Sequence, residues 1–321
     1  MKSILLIGGV ITSLLLFNLN IDNSKKEIDA NNNVSDKSIN ISNTKDIYNI
    51  KIGEHKEKLL SLFGQPDRID ESEYGFNWYI YNNDYNNFFM VGIEDEVVKG
   101  IYSNSLNSCE TENINIGDKR DDVRKLYTPI EYKKKGNIKY IISSEGQYDI
   151  IEINNKYITF FYDIHDEYKI CSYQVIDSKN ESDMKSIYAS PSEKLKKSFE
   201  MQVIDLTNSV RAKNGLNKLK YSEMATTSSK KHSLDMVDKN YFDHINKENE
   251  TPFDRMNEEG IKYISAGENI AAGQTSAIYA HEALMNSKGH RKNILGNYNS
   301  IGVGVEFGGD YNIYYTQNFY R

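Results

Sequence analysis

Apolar positions along the second half of the chain fall into a helical rhythm. Leu195, Phe199, Val203, Leu206 and Val210 recur at the spacing of one helix face. Ser190, Pro191 and Glu193 ahead of them read as an N-cap, a first-turn proline and the far side of a capping box. Gly215 after Asn214 is the natural stop. A second helix is predicted over about Ser222 to Asn240, with Ala225, Ser229, His232 and Met236 on one face. A third opens at Thr251-Pro252-x-Asp254 and ends at Gly260, and a fourth spans about Ser276 to Asn286. Ser300 to Phe307 and Tyr311 to Tyr320 read as a hairpin across Gly308-Gly309-Asp310, with a further strand at Ile270. Together these elements predict helices packed on an antiparallel sheet.

The first half has a different texture. Ile50-x-Ile52-Gly53, followed by Leu59, Leu60, Phe63 and Pro66, is echoed by Ile114-x-Ile116-Gly117, followed by Val123, Leu126 and Pro129. Each copy predicts a short strand meeting glycine, then a helix of about ten residues that proline stops. Runs rich in β-formers follow: Phe76 to Tyr81, Phe88 to Ile93, Val97 to Tyr102, Ile138 to Ile141, Ile150 to Ile153 and Tyr157 to Tyr162. The expectation is an α+β domain of two repeated lobes with antiparallel sheets.

The N-terminus changes the picture of where the chain goes. Lys2 precedes a mostly apolar run, Ile4 to Phe17, in the length range of a secretory leader core. It falls short of the ~20 residues that a membrane-spanning helix needs. Asn18-Leu19-Asn20 is a poor cleavage site, so an uncleaved N-terminal anchor is the other reading, and no cysteine follows the run to carry a lipid. Residues from Ile21 to Asp46 are rich in Asn, Ser, Asp and Lys and cannot offset their ordering entropy, which predicts a flexible tether. A net charge of −7 and the lack of any basic stripe interleaved with aromatics argue against nucleic-acid binding. Cys109 and Cys171 are the only cysteines. Outside the cell they could pair, or remain two buried thiols.

Candidate chemistry gathers in the second half. Phe242-Asp243-His244, Gly267-Glu268-Asn269-Ile270 and Ser287-Lys288-Gly289-His290-Arg291 each place a titratable group near an element end. His244, Glu268 and His290 are expected to share one cleft. They could act there as an acid/base pair, or as a two-histidine, one-carboxylate site for zinc or another divalent cation. His281-Glu282 begins like a zincin helix but lacks the second histidine one turn on, which excludes that motif. Ser287 stands beside the site with no readable base or oxyanion hole, which argues against a serine hydrolase. His232 faces the core and is expected to bond backbone. Asn208 and Arg211 should tie their helix to the next loop. His55 and His165 are expected to be solvated surface residues.

Taken in order, these strings resemble the CAP superfamily of cysteine-rich secretory, venom-allergen and pathogenesis-related proteins, in its bacterial SCP-like extracellular branch. The likeness is carried by Asn208-x-x-Arg211-x-x-x-Gly215-Leu216, Phe242-Asp243-His244, Gly267-Glu268-Asn269-Ile270 and Ser287-x-Gly289-His290-Arg291-x-Asn293-Ile294-Leu295. Gly302-Val303-Gly304-Val305 and Tyr315-Thr316-Gln317-x-Phe319 complete it. The resemblance implies a three-layer α-β-α sandwich. It also implies that His244, Glu268 and His290 match three members of the family's cavity tetrad of two His and two Glu. For the fourth, Leu284 takes the place of the family's tryptophan and Ser287 falls where the carboxylate would stand. Glu282 lies about half a turn N-terminal to Leu284. The CAP-like half has no cysteine, unlike the disulfide-rich eukaryotic relatives. Arg68-Ile69-Asp70-x-Ser72-x-Tyr74-Gly75-Phe76-x-Trp78 resembles the domain often found ahead of bacterial CAP domains.

The expected organisation is a leader or anchor over 1–20, a tether over 21–46, the CAP-associated α+β domain over 47–178, a linker over 179–189 and the CAP-like domain over 190–321. The expected function is that of an exported bacterial module, secreted or at the cell surface. It would bind a small ligand, a lipid, a cell-wall component or a protein, and touch the membrane only through an uncleaved N-terminal segment. The alternative is a metal-dependent hydrolase, with a peptidase among the candidates, that uses His244, Glu268 and His290.

Overall fold

The computed structural model describes residues 4–7, 47–105 and 113–321. Most of the expected leader, all of the tether and Cys109 lie outside the described residues. Of the leader, β1 (Ile4–Ile7) runs parallel to β7 (Ile138–Ile142), which also pairs with β6 (Tyr132–Lys135).

The two sequence repeats each contribute a short helix, α1 (Lys56–Phe63) and α2 (Arg120–Leu126). Both are shorter than expected, and the Ile-x-Ile-Gly segments ahead of them are turns, not strands. Ile50 and Ile114 are nonetheless core residues, so their burial, and not pairing, explains the repeated apolar pattern. The lobes do not keep separate sheets. β2 (Arg68–Glu71), β3 (Asn77–Tyr81), β4 (Phe89–Glu94) and β5 (Val97–Ser103) come from the first copy. β8 (Tyr148–Ile153), β9 (Lys156–Asp163) and β10 (Lys169–Asp177) come from the second. They join at the β5–β10 pair into one seven-stranded sheet, ordered β2-β3-β4-β5-β10-β9-β8, with every neighbour antiparallel. One face buries Val91, Ile101, Phe160 and Val175 against Leu59 of α1 and Val123 of α2. The other face, with Trp78, Met90, Tyr102 and Phe161, packs on Leu206 and Ile278 from the second half of the chain. Within the span read as linker, α3 (Ser178–Asp183) is capped by Asp177 and holds Glu181 against Lys133 and Lys135.

The C-terminal half is a three-layer α-β-α sandwich. Its sheet is ordered β11-β13-β14-β12, from β11 (Lys220–Tyr221), β12 (Ala266–Ala272), β13 (Ser300–Gly308) and β14 (Asn312–Tyr320). Side chains alternate across it. Ile301, Val303, Val305, Tyr315 and Phe319 face α4 (Glu193–Lys213), α7 (Ala277–Asn286) and α8 (Lys288–Ile294). Gly302 and Gly304 face α5 (Glu223–Asp238), with α6 (Pro252–Glu258) beyond it. A Cβ on Gly304 would lie 2.3 Å from the Lys230 backbone nitrogen, and one on Gly302 would lie 2.1 Å from that of Thr226. The Gly-Val-Gly-Val string is therefore a close-packing surface on one face and a core stripe on the other. The cap of α4 is Ser192, which accepts from the Leu195 N–H at 2.9 Å; Ser190 lies outside the helix and Glu193 becomes its first residue. The capping box at Thr251 and Asp254 forms as expected.

Across the junction, Asp205 of α4 accepts from Arg68 (2.6 Å), Asn82 (2.8 Å) and Tyr85 (2.8 Å) of the first half. Arg291 of α8 reaches Asp163 at 2.8 Å. Charge-assisted bonds to a buried carboxylate fix geometry more strongly than surface pairs do, so these contacts set how the halves meet.

Candidate functional site

The loop that follows α5 is pinned by aromatics. Tyr241 donates to Asp235, and Phe242 lies against the rings of Tyr311 and Tyr314. That anchoring turns His244 inward. Its Nδ1 is 2.9 Å from Oε1 of Glu268 on β12. A carboxylate can only accept, so Nδ1 carries the proton of this bond. Arg255 of α6 donates to the other Glu268 oxygen at 2.9 Å and to the backbone carbonyls of His244 and Glu250, both at 3.0 Å. One guanidinium therefore clamps the carboxylate and both ends of the histidine loop. His232 of α5 donates through Nε2 to the Asp243 carbonyl at 3.0 Å and stands 3.9 Å from Glu268 Oε1. Backbone bonding of His232 matches the sequence reading. Its place beside Glu268 does not follow from sequence.

Burial alone would raise the Glu268 carboxyl, but the facing His232, Arg255 and His244 hold it down at about 2. His232 is pushed down to about 4, first by burial and then by Arg255 and His244 against the pull of Glu268. His290 on α8 is buried and its Nδ1 has no hydrogen-bond partner. Burial, then His244, lowers it to about 4. Its backbone carbonyl accepts from Asn269, which also bonds Gln317 and Asn293. Glu268 and Asn269 thus tie opposite faces of one strand to different helices.

The structure brings His244 and Glu268 into contact and sets His290 near His244. Both Glu268 oxygens are engaged, one of them by a permanent cation. Among the described residues no group of three or more His, Cys, Asp or Glu side chains is placed to hold a metal ion. Glu282 points elsewhere: Oε1 accepts from Tyr102 (3.1 Å) and Ser172, and Oε2 from the free thiol of Cys171 at 3.4 Å. His281 beside it is buried with Nδ1 unpartnered. Asn208 exchanges bonds with Leu219, and Arg211 donates to the carbonyls of Asn217, Ile294 and Gly296, as the sequence implies. His55 and His165 are both exposed, and His165 also bonds through Nε2 to the Asn286 carbonyl at 3.0 Å. The residue that sequence reasoning missed is Arg255. Nothing in its string marks it, because its partners come from a loop and a strand that only folding brings near.

Two family models match the chain. The CAP-associated N-terminal domain matches residues 52–188, and the cysteine-rich secretory protein family matches residues 204–319. An uncharacterized membrane protein of Bacillus subtilis, YlbC, is 30% identical over 84% of this chain and 82% of its own length. A second B. subtilis protein, YkwD, is 50% identical over 34% of this chain, which spans 44% of that relative. Among solved structures, an extracellular protein of Bacillus anthracis containing an SCP domain superposes with a TM-score of 0.74 at 26% identity. That match covers 89% of this chain and 99% of the other. A Staphylococcus aureus cysteine-rich secretory protein shares the fold at a TM-score of 0.67 and 18% identity, over 84% of this chain and 91% of the other.

Proposed function

The chain belongs to the cysteine-rich secretory protein family in its bacterial form with a CAP-associated N-terminal domain, and from that premise we propose that it is an exported binding module and not a hydrolase. The observation that carries this reading is the engagement of Glu268. A carboxylate clamped by Arg255 and His244 orders the loop from Tyr241 to Glu250. The alternative reading gives that carboxylate a second task, as base or metal ligand, beside the bonds it already accepts. The cluster then serves as the rigid floor of a surface that a ligand or partner meets. Export rests on the charged start and apolar run at the N-terminus, and on the description of the B. anthracis neighbour as extracellular. Retention at the membrane is the variant that YlbC's description suggests. Among the described residues no helix is long and apolar enough to cross a membrane.

The test is a calorimetric titration of Zn²⁺ into chelator-stripped protein, beside a His244→Ala/His290→Ala variant, followed by a peptidase assay with and without zinc. The expected result is no saturable site that the variant loses, and no turnover. One-site binding abolished in the variant, with zinc-dependent cleavage, would reinstate the hydrolase.

A further inference from the structure

Between the two halves lies a cavity of about 390 Å³, lined by residues of both and by none of His244, Glu268 and His290. Its apolar wall is aromatic. Tyr148, Phe161 and Tyr279 form a mutually edge-packed group, with ring centroids 5.1 to 6.0 Å apart. Tyr74 lines the cavity as well and stacks on Phe76 at 5.6 Å.

Its polar wall is rich in acceptors. The carboxylates Glu73, Glu145, Glu181 and Glu282 line it, with Lys133 as the one lysine or arginine among the lining residues. That lysine is bound to Glu181 at 2.7 Å. The Asn286 side chain is spent on the backbone of Ile164 and Tyr162. Gln274 supplies an independent sign of a missing partner. It is 93% buried, it lines the cavity, and its side-chain oxygen accepts no hydrogen bond. An unmatched buried acceptor calls for a donor. Carboxylates beside it favour a positively charged one, and aromatic faces favour a cation with an apolar body.

We propose that this interdomain cavity binds an aliphatic ammonium ion, its nitrogen taken by Glu73 and the Gln274 oxygen and its methylenes laid on Tyr148 and Tyr279. A neutral sugar fits less well, because its hydroxyls can donate to these acceptors but bring no charge to match the carboxyls. An anion would face four carboxyl side chains with a single lining lysine to offset them. Burial pushes Glu73 up to about 7, with Glu181 adding to the rise and Ser276 and Lys133 opposing it. A bound cation would draw that carboxyl down and release a proton, so binding should tighten as pH rises through 7. The site gives the binding-module reading a ligand class, and it is independent of the His244 cluster.

The test uses the full chain with 1,5-diaminopentane and its neutral counterpart 1,5-pentanediol. Trp78, the chain's single tryptophan, packs edge-on against Phe76 at 4.8 Å and reports on the wall optically. Expected are saturable one-to-one binding of the diamine and at least tenfold weaker binding of the diol. Glu73→Gln should lose tenfold or more, and His244→Ala/His290→Ala should lose nothing. Calorimetry in buffers of different ionisation heat should show proton release near pH 7. Gln274→Met, with the buffer comparison on the unmodified chain, serves as the second arm if Glu73→Gln does not fold. Equal affinity for the diol, an unaffected Glu73→Gln variant, absence of diamine binding, or binding of N-acetylglucosamine oligomers in its place would each overturn the proposal. Zinc binding at the other cluster would leave it standing.

Discussion

Glu268 and Glu282 stand in the same domain and are buried to nearly the same degree, yet their surroundings shift their carboxyls in opposite directions. Glu268 faces a guanidinium and two imidazoles and is held ionised, at about 2. Glu282 is met by hydroxyls and a thiol, from Ser172, Cys171 and Tyr102, with Lys213 acting more weakly, and burial wins: its carboxyl is raised. Burial is common to both, so the partner's charge decides. The consequence is a division of labour. Glu268 is an electrostatic rivet inside the C-terminal domain, and Glu282 is a hydrogen-bonding seam between the two halves.

The largest test of this contrast is removal of the rivet. Glu268→Ala leaves Arg255 buried without its counter-ion and should cost about 3–5 kcal/mol. Urea unfolding would read the loss, and a cost below about 1 kcal/mol would break the comparison. Acid should do nearly as much. The folded Glu268 carboxyl lies below its unfolded value of 4.5, so its contribution is present above pH 4.5 and disappears as pH falls toward 2. That contribution is on the order of 3 kcal/mol at 1.36 kcal/mol per unit. His232 and His290 are lowered from 6.5 to about 4. The unfolded chain therefore binds more protons between those values, and stability should already fall as pH drops from 6.5 to 4. His290→Phe, measured by thermal unfolding across that range, should flatten the slope.

Glu282 has the opposite sign. Its folded value is raised, so its stabilisation is present at low pH and declines as pH rises above 4.5. Glu282→Gln keeps a neutral acceptor for Ser172 and Tyr102 and should cost about 1 kcal/mol or less. It should also remove that decline, which a stability profile from pH 5 to 8 would show. Smallest of all is Cys171→Ala. It deletes one weak thiol donor to Glu282 and should shift unfolding by about 0.5 kcal/mol. A loss near that of Glu268→Ala would break the contrast between the two carboxyls.

Much of this molecule was legible in its residues, and the gaps have causes. The helices of the C-terminal half were readable because an exposed helix must alternate apolar and polar faces. Thr251-Pro252-x-Asp254 declared its cap for the same local reason. The α4 cap slipped from Ser190 to Ser192 because either serine satisfies the local rule and only docking on Glu71 chooses between them. β10 was missed because it is a central strand whose polar side chains, Ser172 and Gln174, are buried against the other half of the chain. From sequence such positions look like solvent. β2 was missed because Arg68-Ile-Asp-Glu is an edge strand whose charged residues are spent on Asp205 and on each other.

The sequence by itself determined the family, the alternation that makes the C-terminal sandwich, and the candidate trio of His244, Glu268 and His290. These rest on short-range periodicity and contiguous strings. Only the tertiary structure decided what the trio is worth. Arg255 came to Glu268 across a loop, Glu282 turned away to Tyr102 and Ser172, and the two sheet-forming repeats fused at β5 and β10. Each depends on contacts between residues far apart in the chain, and the charge of a buried carboxyl is set by those contacts.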